Sequence, residues 1–141
     1  MKLTGGCMCG AVRYEVETPS ELHYLCHCSD CRKHGGGAWH AAIVVASADF
    51  KVTGETAKST VTAESGRTIA RHICAACHSQ LYVTQWPVAE RLSLKAGTLD
   101  DQSVFEPRYQ IWTRSRVPWA PDFPDMTSFE QGFTGELPKW R

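Results

Sequence analysis

Three thiols fall within six residues in the stretch Cys26-His27-Cys28-Ser29-Asp30-Cys31, a density that core packing does not ask for. In an extended backbone a Cys-x-Cys pair sends both sulfurs to one face, and the Cys-x-x-Cys turn that follows swings a third sulfur toward the same point. The simplest reading is a metal site supplied by one loop. A structural zinc closes its shell with four protein ligands, whereas a zinc held by three keeps a position for water or a substrate atom. The rest of the chain has to be arranged around that loop.

Four further cysteines stand as Cys7-Met8-Cys9, flanked by Gly6 and Gly10, and as Cys74-Ala75-Ala76-Cys77. Seven is an odd number, and the start of the chain has no apolar h-region, so reduced thiols in metal sites fit better than a disulfide framework or redox chemistry. The economical partition is four plus three. Cys7, Cys9, Cys74 and Cys77 make a closed structural zinc site that ties the first strand to the middle of the chain. Cys26, Cys28 and Cys31 make a second zinc site that is one ligand short. A histidine closes that shell in one reading, drawn from His23, His27, His34, His40, His72 and His78; in the other it stays open and takes an exogenous thiolate. His27 is the least suited to closing it, because in an extended Cys-His-Cys its ring faces away from the sulfurs, and a partly exposed position is expected for it.

Lys plus Arg number 15 and Asp plus Glu number 15, so the formal charge is zero and no basic run stands out. That excludes a general electrostatic pull toward nucleic acid or acidic membranes. No stretch approaches the ~18 apolar residues of a membrane span, and a soluble cytoplasmic protein is expected. The length suits a single domain over 1–141.

Alternation predicts strands in Ala11-Val12-Arg13-Tyr14-Glu15-Val16-Glu17, in Glu21 to Leu25 and in Trp39 to Val45, with a short strand and turn over Phe50 to Glu55. Residues 58–64 and 67–73 read as a hairpin about Ser65-Gly66, and Gln80 to Thr84 and Glu90 to Gly97 as two more strands. Helical periodicity is nowhere sustained, so the fold is mostly β. The segment from Phe105 to Arg141 holds five of seven prolines and three of five tryptophans, and reads as an irregular wrap anchored by Trp112, Trp119, Phe123, Phe129 and Phe133. Arg32 and Lys33 follow the third cysteine of the loop, where a cation would offset thiolate charge; Arg32 suits a bidentate carboxylate contact, and solvated surface charge is the competing reading for both. Arg114 and Arg116 with Trp112 and Trp119 form a second basic and aromatic set, better explained by packing and surface charge.

The cysteine framework, with Gly6-Cys7-x-Cys9-Gly10-x-Val12-Arg13-Tyr14, Cys26-His27-Cys28-x-x-Cys31-Arg32-Lys33, Gly54-Glu55, Cys74-x-x-Cys77, Gly97-Thr98-Leu99-Asp100, Ile111-Trp112, Ser115-Arg116 and Trp119, resembles the glutathione-dependent formaldehyde-activating enzymes, whose domain is shared with centromere protein V. These pieces run in order over about residues 3–130. The resemblance implies an Mss4-like single domain of several small antiparallel β-sheets with two zinc ions, the structural one on Cys7, Cys9, Cys74 and Cys77 and the catalytic one on Cys26, Cys28 and Cys31. The implied activity joins formaldehyde to glutathione, classed as a carbon-sulfur lyase in reverse. Three positions depart from the family pattern: His78 stands where glycine is usual, Ile73 where phenylalanine is usual, and Tyr109 where histidine is common. The first two bear on local packing, the third on the substrate. The expectation is a zinc enzyme that activates a thiol such as glutathione for addition to an aldehyde; the competing class is a non-catalytic zinc module for structure or protein interaction.

Overall fold

Alternation and pairing register build the molecule. A computed structural model of the chain describes residues 2–137 and 139–140; Met1, Pro138 and Arg141, included in the expected 1–141 domain, lie outside the described residues. Among the described residues the strands are β1 (Leu3–Gly6), β2 (Arg13–Val16), β3 (His23–Cys26), β4 (His40–Ala46), β5 (Phe50–Thr53), β6 (Thr56–Thr62), β7 (Thr68–Cys74), β8 (Gln80–Trp86), β9 (Arg91–Lys95), β10 (Tyr109–Ile111) and β11 (Thr127–Ser128), with one α-helix, α1 (Ser29–Gly35), and four single turns of 3-10 helix. The protein is mostly β, with more than one sheet. Each strand predicted between residues 11 and 97 has a counterpart, shifted by a few residues at its ends. No helix among the described residues is long and apolar enough to cross a membrane.

The sheets differ in size from the expected set of small antiparallel ones. One is three-stranded, β1-β2-β5; the other has eight strands in the order β11-β10-β3-β4-β9-β8-β7-β6. Pairing is antiparallel from β3 through β6, but β10 lies parallel to both β3 and β11. The two parallel pairs correct the reading of residues 105–141 as a wholly irregular wrap. The edge of β3 carries backbone groups that need partners. The tail supplies them: the His27 amide donates to the Ile111 carbonyl at 3.0 Å and the Arg108 amide to the His23 carbonyl at 3.1 Å. Trp119 is not an anchor, being 70% exposed in a turn whose buried residues are Val117 and Ala120.

The two faces of the large sheet bury different things. Against the small sheet pack Ile43, Val45, Leu81, Tyr82, Leu92 and Leu94, meeting Leu3, Val12, Tyr14 and Val16. Each fully buried aliphatic side chain contributes roughly 1.5–3 kcal/mol, so this layer is the main source of stability. On the opposite face Leu22, Tyr24, Cys26, Ala42, Val44 and Ile111 are buried beneath Tyr109, Trp112, Phe129, Phe133 and Trp140. The tail aromatics thus roof the face that carries Cys26.

Two sequence motifs acquire a physical cause. Asp100 accepts from Thr4 Oγ1 at 2.8 Å and from Arg13 Nη1 at 2.9 Å, and Tyr14 meets Thr98 Oγ1 at 2.8 Å, so Gly97-Thr98-Leu99-Asp100 clamps the small sheet. Gly54 has φ 96 and a Cβ there would run into the Ala11 carbonyl, which is why glycine precedes Glu55.

Candidate metal centres

Cys7, Cys9, Cys74 and Cys77 converge, with all four sulfurs within 4.8 Å of one another. Sulfurs held at about 2.3 Å from a tetrahedral ion lie about 3.8 Å apart. Cys7 to Cys9 is 3.6 Å and Cys9 to Cys74 is 3.8 Å, so the donor set fits a tetrahedral thiolate-bound metal. The β1–β2 turn brings the first pair and the end of β7 the second. Amides support the thiolates: Val12 N–H donates to Cys7 Sγ at 3.2 Å and Cys77 N–H to Cys74 Sγ at 3.4 Å. The hydroxyl and amide of Ser79, beside Cys77, pull that thiol down to about 5. Cys74 is fully buried, and Cys9 is exposed. His78 adopts φ 63, the left-handed region where a side chain is strained. That is the physical reason a glycine is usual at this position, so the departure costs backbone strain rather than a ligand.

Cys26, Cys28 and Cys31 form a second group, again within 4.8 Å, and no histidine, aspartate or glutamate among the described residues brings a ligand atom into it. The three sulfurs come from a strand end and a helix start rather than from a loop. Cys26 closes β3, and Cys28 is the N-cap of α1, its Sγ accepting from the Cys31 amide at 3.2 Å. Hydrogen bonds from the Cys26 and Cys31 thiols, with that amide and the charge of Arg71, pull the Cys28 thiol well down, while hydrogen bonding to Cys28 and Cys31, together with burial, pushes Cys26 up. The α1 helix runs under two turns, too short for a helical period to emerge in the sequence, and ends at Gly36 with φ 77.

The histidines sort into roles. His23 bonds the Ser20 carbonyl at 3.0 Å and accepts the Glu106 amide at 2.9 Å; His72 meets Thr84 Oγ1 at 2.8 Å; His78 is exposed. His27 is fully buried, which corrects the expected partly exposed position: its Nε2 meets Gln110 Oε1 at 2.9 Å, a partner that the tail strand β10 delivers. His40 pairs directly across from Cys26, is 4% exposed, and is pushed down to about 3 by burial and the nearby Lys95 charge. Among the described residues the buried side-chain nitrogens without a partner are His27 Nδ1, Arg32 Nε, His34 Nδ1 and His40 Nδ1. All four belong to residues 27–40. Buried polar groups are normally satisfied inside the protein or by what binds it, and this segment is the one that carries Cys28 and Cys31.

Arg32, which directly follows Cys31, is half-buried and Lys33 is exposed. Arg114 lies 5.0 Å over the Trp112 ring and Arg116 donates to the Ala120 and Pro121 carbonyls, both packing roles. Two cations escaped the sequence reading: Arg71 on β7, whose charge is felt at Cys28 and Cys31, and Lys95 on β9, whose charge is felt at all three sulfurs. The alternation of Arg91, Ser93 and Lys95 with Leu92 and Leu94 was the available signal for the second.

Comparison with known proteins agrees with this geometry. The family model described as glutathione-dependent formaldehyde-activating enzyme matches residues 2–115. A Halomonas elongata protein provisionally named glutathione-dependent formaldehyde-activating enzyme is 40% identical over 94 residues, 62% of this chain and 60% of the relative. The chain therefore aligns with about three fifths of that protein's length. A crystal structure of a Rhodobacter sphaeroides protein superposes with a TM-score of 0.57 at 22% identity, covering 74% of this chain and 92% of the other, which shows a shared fold.

Proposed function

The chain belongs to the glutathione-dependent formaldehyde-activating enzyme family, and from that premise we propose that it is a zinc-dependent enzyme of carbon-sulfur lyase type, activating a thiol such as glutathione for addition to an aldehyde. It would act as one zinc-binding domain over residues 1–141, with one zinc held structurally by Cys7, Cys9, Cys74 and Cys77 and a second held by Cys26, Cys28 and Cys31. The observation that carries this reading is the second group: three sulfurs within 4.8 Å with no fourth protein donor among the described residues.

Zinc at the three sulfurs would favour the thiolate form of a bound thiol near neutral pH. The protein's part is orientation and shielding. Arg32, whose Nε is buried without a partner, is placed to take a substrate carboxylate in a planar, charge-assisted contact. The roof of Phe129, Phe133 and Trp140 limits water at this face. In the addition the thiolate lone pair forms the S–C bond, the carbonyl π electrons move onto oxygen, and that oxygen takes one proton.

Exchange NMR of hydroxymethylglutathione with formaldehyde and glutathione tests the reaction, since the uncatalysed addition sets a measurable baseline. Faster exchange with zinc-loaded protein, and much weaker binding of S-methylglutathione, which has no thiolate to offer, are the expected results. Unchanged exchange together with no glutathione binding would reject this substrate pair and leave a non-catalytic zinc module as the better account.

A further inference from the structure

The sheet face that carries Cys26, beside the helix that brings Cys28 and Cys31, also carries a basic pair for which the thiol chemistry above supplies no role. Residues paired across strands project to the same face. Tyr24 pairs with Ala42, and Ala42 with Lys95; Val44 pairs with Ser93, Ser93 with Val83, and Val83 with Arg71. Tyr24 and Cys26 lie two apart on β3 and so share that face, and the Tyr24 hydroxyl meets the Ser93 hydroxyl at 2.8 Å. Register thus sets Lys95 and Arg71 on the face of the sulfurs.

Arg71 is only 9% exposed, and no Asp or Glu forms a salt bridge with it or with Lys95 among the described residues. Taking a guanidinium out of water is costly unless a negative charge compensates it. The thiolates are one source of compensation, and they do not suffice. Three thiolates around a divalent ion leave a single net negative charge, which two cations outweigh. The face is therefore left positive, and it suits a ligand that brings more than one negative charge.

We infer that Arg71 and Lys95 form a subsite for a carboxylate of the thiol substrate, so that the protein selects thiols carrying a carboxylate within a few bonds' reach of the sulfur over neutral thiols. This rests on the thiol-activating reading of the Cys26, Cys28 and Cys31 centre. Lys95, half-exposed, is the point of entry, and Arg71 the buried anchor. The subsite is distinct from Arg32, which arrives on α1 rather than on the sheet. A substrate with two carboxylates could engage both.

Calorimetric titration of the zinc-loaded full chain separates the possibilities, with glutathione and 2-mercaptoethanol as the charged and neutral thiols. Arg71→Gln and Lys95→Gln should each weaken glutathione about 10- to 100-fold while moving 2-mercaptoethanol by less than about threefold. Zinc content and melting temperature are measured on the same samples. If Arg71→Gln does not fold, Lys95→Gln and Arg71→Lys carry the test, the latter recovering part of the glutathione affinity. Equal weakening of both thiols would overturn the inference, because the cations would then serve only the metal-thiolate charge. Unchanged binding of both would overturn it as well. Failure of the unsubstituted protein to bind either thiol is a different outcome: it removes the thiol-activating reading itself, and the subsite with it.

Discussion

Around the four-cysteine group the amides of Val12 and Cys77 and the hydroxyl of Ser79 point at sulfur, and among the described residues no buried side-chain nitrogen there lacks a partner. Around the three-cysteine group Arg32, His34 and His40 each leave a buried nitrogen without a partner, and the cations Arg71 and Lys95 stand within electrostatic reach. The first group joins the β1–β2 turn to the end of β7, distant parts of the chain. The second joins residues only five apart. On the proposed reading the same ligand type would serve as a cross-link in one place and as a reactive centre in the other, with the difference made by the shell around the sulfurs.

The sharpest way to break this comparison is to remove one ligand from each group. Cys74→Ser should cost on the order of 4 kcal/mol, since it opens a metal cross-link at a fully buried position. Cys28→Ser should cost about 1 kcal/mol or less, because serine retains the N-cap of α1 while one zinc is lost. Thermal melts with zinc analysis check both, and equal destabilisation would dissolve the distinction. Next in size is the chelator response. Zinc should leave in two phases under a competing chelator, the phase absent from Cys28→Ser being at least about tenfold faster. A single phase would merge the centres.

Arg32→Ala should weaken glutathione about tenfold and leave the melting temperature within a few degrees, with Arg32→Lys restoring part of the loss. Titration calorimetry reads it, and an unchanged affinity would return Arg32 to the role of a helix surface residue. The smallest effect belongs to the four-cysteine side. His78→Gly should raise stability by about 0.5 kcal/mol, the relief of a left-handed backbone less the added freedom of the unfolded chain. It should leave thiol binding untouched.

Much of this contrast is legible in the sequence. Cysteine spacing carried the four-plus-three division because metal ligands must cluster in short motifs, and alternation carried the strands from β2 to β9 because their buried faces repeat every second residue. Other parts had no local signal. Strands β10 and β11 span three and two residues, and the inward residue Gln110 is polar, so nothing in Tyr109-Gln110-Ile111 reads as buried. The burial of His27 follows from the same strand, since its partner lies 83 positions away. Arg71 reaches the sulfurs only through a register of paired strands, a long-range property that composition does not carry. Tyr109, the departure expected to bear on substrate, proves to lie against Phe133 in the roof over the three-cysteine face, where it shapes packing next to the site.

Cadmium NMR on protein with both centres exchanged to cadmium-113 tests the central claim most directly, because the cadmium shift moves downfield with each added sulfur ligand. Two resonances are predicted: one already in the four-sulfur range and indifferent to glutathione, the other shifting toward that range as glutathione is added and remaining in place with S-methylglutathione. Two resonances that both start in the four-sulfur range, or a second resonance that glutathione does not move, would contradict the account.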